Sequence, residues 1–140
     1  MPLQLSFQGG INMLYTYTAV ISECDGTFYA KIPDVDGCIT TATSLSEAIS
    51  LITDALNLCL VVLEDENIQP NPATPQADIH HDSDDILTII QADTIKYRSE
   101  TDTRAVRKNV SLPAWMATLA DKRGVNCSKV LQEALLTILS

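Results

Sequence analysis

Positive charge is scarce over most of this chain. The first 103 of its 140 residues hold three Lys/Arg (Lys31, Lys96, Arg98) against sixteen Asp/Glu, a net of −13. With a net charge of −9 and a pI near 4.4 overall, nucleic-acid binding spread over the whole surface is excluded. The four cysteines, Cys24, Cys38, Cys59 and Cys127, are scattered and form no CxxC. A disulfide framework or zinc site is therefore not expected, no metal or cofactor is assigned, and a reducing cytoplasm fits best. The start, MPLQLSFQGGIN, has no basic segment and no long apolar run, so it reads as a tail over 1–12 rather than a signal peptide. The most apolar stretch, LNLCLVVL (56–63), is too short to span a bilayer, and no membrane partner is expected. No internal repeat is visible.

What is present is a packed-protein composition, 46% apolar and 19% charged, with its charge split by position. Residues 104–140 hold six Lys/Arg (Arg104, Arg107, Lys108, Lys122, Arg123, Lys129) against Asp121 and Glu133, a net of +4. Two modules with two kinds of partner are implied.

The front module begins at Met13. LYTYTAVISEC (14–24) reads as a strand, Asp25-Gly26 as a hairpin turn, and TFYAKI (27–32) as the returning strand. PDVDG (33–37) is a turn and CITTAT (38–43) a short third strand. Ser44 and Glu47 form a capping box for a helix to about Asn67. Leu45, Ala48, Ile49, Ile52, Ala55, Leu56, Cys59, Val62 and Leu63 form its expected core face. Leu51, Leu58 and Val61 fall outside that stripe, which implies either burial on two sides or a partner interface. QPNPATPQADIHHDSDD (69–85) reads as a long loop, ILTIIQADTIKYR (86–98) as a strand, and SETDT (99–103) as a linker.

The tail module, 104–140, opens on VRKNVSLPAW (106–115). This is an alternating strand, followed by a helix with Pro113 in its first turn, a Gly124 cap, and a second helix from Asn126 or Ser128. Met116, Leu119 and Ala120, then Val130, Leu131, Ala134, Leu135 and Ile138, face inward. One strand and two short helices bury too little surface to stand alone. A symmetric homodimer solves this, with the strand pairing with its mate and four helices closing over it. Val106, Val110, Leu112, Trp115, Leu119, Val130, Leu131 and Leu135 are the expected dimerisation residues.

With its VRKNVSLP, Gly124 and NCSKVLQEAL, the tail resembles the ribbon-helix-helix DNA-binding family. The resemblance implies that the outward residues Arg107, Asn109 and Ser111 read bases of double-stranded operator DNA in the major groove. It also implies that Asn126, Cys127 and Ser128, opening the second helix, hold a phosphate. Lys108 departs from the pattern, since it falls on the inward face. A shift of one residue would exchange these roles. A plain dimerisation tail with solvated Arg107 fits the same residues.

In the front, FYAKIPDVDGCIT followed by TSLSEAI resembles the HicB antitoxin family over about residues 15–66. Ala42 stands where Gly is common. The resemblance implies an α+β chain: a partial ribonuclease-H-like β-β-β-α-β domain over 13–98 and a DNA-binding and dimerisation domain over 104–140. It further implies an antitoxin that neutralises a HicA-like toxin, a small basic mRNA-cleaving ribonuclease, and represses its own operon. It would act as a dimer, with joining of dimers into a tetramer left open. An acidic front suits a basic partner, and the candidate toxin-binding residues are Asp25, Asp34, Asp36, Glu64, Asp65 and Glu66, with Glu23 beside them. Asp34 and Asp36 equally suit turn hydrogen bonds. Two other functions fit less of the sequence. One is a repressor sensing a ligand or a metal at His80-His81; the other is a residual nuclease using Asp25, Asp34, Asp36 and Glu47. No nucleophile–base pair is legible, and no catalytic residue is assigned.

Overall fold

The computed structural model describes residues 14–140, and the expected tail over 1–12 lies outside them. The described chain divides into a front unit ending at Asp102 and a tail unit beginning at Thr103.

In the front, β1 (Leu14–Cys24) and β2 (Thr27–Lys31) form the expected hairpin. Asp25 (φ +52°) and Gly26 (φ +80°) both take left-handed conformations, as a turn matching the twist of its strands requires. Strand β3 (Ile39–Ala42) pairs with β2, Phe28 opposite Ala42. Strand β4 (Ile86–Asp93) pairs with the far side of β1, Leu14 opposite Asp93 and Ile21 opposite Ile86. The sheet is antiparallel throughout, in the order β3-β2-β1-β4.

Helix α1 (Leu45–Asp65) covers one face. Alternate residues of the strands point to it: Tyr17, Ala19 and Ile21 from β1, Ala30 from β2, Ile90 and Ala92 from β4. Ala48, Ile52, Leu56 and Leu60 meet them, one stripe of i, i+4 neighbours with no solvent exposure. This corrects the expected core face. Leu60 belongs to it, whereas Leu45 and Val62 are exposed. Leu51, Leu58 and Val62 form a second apolar side that the front unit leaves uncovered. By length and hydropathy α1 could cross a membrane, but its apolar stripe already has the sheet as its solvent-excluding partner.

The capping box closes with a shift. Ser44 Oγ accepts from the Glu47 N–H at 3.1 Å, but Glu47 Oε1 accepts from Thr43, N–H at 2.8 Å and hydroxyl at 3.2 Å, rather than from Ser44. The PDVDGC turn is a core element. Val35 and Cys38 are buried, Gly37 has φ +78°, and the Ile32 N–H closes the loop on the Cys38 carbonyl at 3.0 Å. The 69–85 loop contains one short 3-10 turn, Gln76–Asp78, and is tied down. Tyr17 donates to the Asn71 carbonyl, Asn71 donates to the Asp34 carbonyl at 3.0 Å, and Ile79 is buried.

The expected strand over 86–98 ends at Asp93. There Asp93 Oδ1 accepts from the Lys96 N–H at 3.0 Å and caps α2 (Thr94–Thr101). Helix α2 therefore takes the first three residues of the expected 99–103 linker.

In the tail unit, residues 103–113 carry neither helix nor strand. The expected 106–112 strand is not formed, because a strand is defined by a ladder and this segment has no mate among the described residues. Helix α3 (Ala114–Lys122) follows, with Pro113 at its N-cap rather than in its first turn. Gly124 (φ +66°) closes α3 as expected, the Val125 N–H reaching back to the Ala120 carbonyl at 3.0 Å. Asn126 caps α4 (Cys127–Leu139) by accepting from the Lys129 N–H at 3.1 Å.

Candidate functional site

The tail unit has no core of its own among the described residues. All eight expected dimerisation residues are exposed, from Leu131 at 36% to Val106 at 83%. Met116, Leu136 and Ile138 are exposed as well. Two amphipathic helices with solvated apolar faces are a surface that needs a cover. Arg107, Asn109 and Ser111 are exposed on the segment before α3. Asn126 uses its side chain to cap α4, so the exposed Cys127 and Ser128 supply the first turn's N–H groups.

In the front, the sheet topology distributes the candidate carboxylates. Asp25 sits on the β1–β2 hairpin. Asp34 and Asp36 lie at the opposite end, where the β2–β3 turn, the start of β1 and the end of α1 come together. Glu64, Asp65 and Glu66 are at that same end. Asp25 is therefore parted from the other five. That separation, and the use of Glu47 as a cap, keep Asp25, Asp34, Asp36 and Glu47 from converging as the ligands of a two-metal nuclease do. His80 and His81 are exposed, and no group of three potential metal ligands gathers among the described residues.

Three of the five, Asp34, Glu64 and Asp65, have internal work. Asp34 accepts from the Thr74 N–H at 2.8 Å and the Thr74 hydroxyl at 2.6 Å, pinning the long loop rather than its own turn. Glu64, its side chain 12% exposed, accepts from Tyr15 Oη at 2.8 Å, Thr94 Oγ1 at 2.9 Å and Arg98 Nη2 at 3.0 Å. This ties β1, α1 and α2 into one polar node. Arg98 also pairs with Asp65 at 2.9 Å. Burial alone would lower the Arg98 guanidinium. Its hydrogen bonds to Asp65 and Glu64 and their charges outweigh that and hold it above its ordinary value. Burial, the Glu64 hydrogen bond and the Glu64 charge all push the Tyr15 phenol up. Asp36, Asp65 and Glu66 are exposed at this end, Asp65 while paired with Arg98.

No curated protein matches the sequence. Among solved structures, the chain is similar to a toxin–antitoxin complex from Streptococcus pneumoniae. The TM-score is 0.57 at 19% identity, covering 89% of this chain and 99% of that one. It is also similar to the crystal structure of the antitoxin HicB of Burkholderia pseudomallei, with a TM-score of 0.51 at 17% identity over 90% and 99% of the two chains. At such identities the likeness establishes the α+β fold. The family is shown by the sequence: residues 17–134 match the HicB-like antitoxin of bacterial toxin–antitoxin systems. The chain belongs to this family of antitoxins.

Proposed function

We propose that this antitoxin neutralises a small basic ribonuclease of the HicA type in the cytoplasm, and that its tail represses the operon encoding both. The front unit holds the toxin, with Asp36, Asp65 and Glu66 at its acidic end meeting basic side chains. Complementary charge speeds encounter and selects the partner. The tail pairs with a second copy, the 106–112 segments forming a two-stranded ribbon that enters the major groove. Arg107, Asn109 and Ser111 then face bases, and the first turn of α4 faces a phosphate.

The observation that carries this reading is the pairing of a self-contained acidic front with a basic tail whose apolar faces are all exposed. Co-expression with a small basic protein encoded beside it tests the reading. The expected result is co-purification and relief of that protein's toxicity. Absence of both would overturn the toxin assignment.

A further inference from the structure

Helix α1 has a second apolar side that the front unit does not use. Leu51, Leu58 and Val62 are 40%, 51% and 45% exposed. With the half-buried Ala55 they follow one another at spacings of 4, 3 and 4 residues. That spacing keeps side chains in one row through three turns of a helix. From Leu51 to Val62 the row is about 16 Å long at roughly 1.5 Å per residue. Helix α2 reaches α1 from the Glu64 side, through Arg98, and leaves the row open.

Carboxylates run beside it. Glu47, Asp54 and Asp65 are separated by 7 and 11 residues, about two and three turns, so they line one edge of the apolar row. Helix α1 carries no Lys or Arg to balance them. Glu47 accepts from Thr43, and Asp65 pairs with Arg98. Asp54 is the informative residue. It follows Leu51 by three positions and precedes Leu58 by four, so it adjoins both on the helix surface. It is exposed, and its carboxylate makes neither hydrogen bond nor ion pair among the described residues.

These features select an occupant. The backbone of α1 is bonded within the helix and offers no edge to a strand. Side-chain ridges of this spacing take a second helix laid nearly parallel. A second copy of α1 would bring the same apolar row, but with it more carboxylates and no cation, so charge selects against it. What fits is an amphipathic helix with an apolar stripe and Lys or Arg along one edge. We infer that the basic toxin presents such a helix to Leu51, Leu58 and Val62, with one of its cations seated on Asp54. This rests on the toxin reading above and gives it a surface. The row runs down α1 to Asp65 and Glu66, at the acidic end already assigned to the toxin.

The test is calorimetry of the full chain with the purified small basic protein encoded beside it. The natural sequence is compared with Leu58→Lys, Asp54→Lys and Tyr29→Lys. Tyr29, 47% exposed, is on the face of the sheet opposite α1, because its neighbours Phe28 and Ala30 point to the core. All three positions are exposed, and unchanged circular dichroism checks that the variants fold. Leu58→Lys should weaken binding by about a hundredfold. Asp54→Lys should weaken it by about tenfold and flatten its dependence on salt. Tyr29→Lys should leave it within about twofold. No binding by the natural chain would overturn the toxin reading and this surface with it. Tight binding that is unchanged in Leu58→Lys and Asp54→Lys would overturn the surface alone and leave the toxin reading standing. Loss in Tyr29→Lys with Leu58→Lys unaffected would also overturn it, by moving the toxin to the open face of the sheet.

Discussion

The two units treat apolar side chains in opposite ways. In the front, Ile21, Ile52, Leu56 and Leu60 are wholly buried between a sheet and a helix. In the tail, Val110, Trp115, Val130 and Leu135 are as apolar and stay exposed, although Gly124 closes α3 and Asn126 caps α4. Local signals therefore make helices in both units, but only the front also has partners for them. The difference teaches that good capping and periodicity do not make a folding unit. An amphipathic segment of this length needs a further surface to bury its apolar faces.

The largest expected effect comes from cutting the front core. Leu56→Ala should cost about 2–5 kcal/mol of front stability, read as an earlier front transition in urea. The tail transition should keep its dependence on protein concentration. If the tail transition moves equally, the units are not independent. Next is the polar node: Arg98→Met leaves Glu64 with its charge uncompensated. It should cost about 2–3 kcal/mol, reduced from a fully buried pair because Arg98 is partly exposed. Thermal unfolding of the front reads it, and Glu64→Gln in the same chain should recover much of the loss.

For the tail, Arg107→Ala and Asn109→Ala should each weaken operator binding by about 1–3 kcal/mol and leave toxin binding alone. Normal DNA binding by both variants would mean that the other parity of the 106–112 segment faces the groove. The smallest expected effects are the caps. Ser44→Ala should lower front stability, and Asn126→Ala tail stability, by about 1 kcal/mol each, so that two like substitutions move two different transitions.

A pH series separates the units in another way. Burial raises the Cys38 thiol to about 12 from an ordinary 9.0. The folded front thus prefers the neutral thiol, while the unfolded chain ionises earlier. This contribution is fully present below about pH 9 and is lost as pH rises toward about 12. The urea midpoint of the front should fall over that window, with a shallower fall in Cys38→Ala, and the tail should show none of this Cys38-linked loss.

Much of the front was legible because its signals are local. Asp25-Gly26 and the Ser44/Glu47 pair each act within a few residues, and each sits where expected, with one hydrogen bond displaced to Thr43; Gly124 does the same in the tail. The end of β4 was not legible from composition, since ILTIIQADTIKYR stays β-branched past the boundary. The available signal was Asp93 placed to cap the turn at Lys96. The phase of α1 was misread near its end, where Leu60, Val61, Val62 and Leu63 are all apolar and only the sheet decides which is inside. Glu64 also had a signal. A carboxylate in the last turn of a helix opposes the helix dipole and calls for a cation, which Arg98 supplies from 34 residues away. Long-range pairing of that kind is not written in any local pattern.

Sedimentation equilibrium of the full chain beside a Val130→Asp/Leu135→Asp variant tests the central contrast most directly. The account predicts a dimer or a multiple of it for the natural sequence, and a monomer for the variant with the β-sheet circular dichroism of the front retained. A variant that stays dimeric, or a natural chain that is monomeric with a cooperatively folded tail, would contradict it.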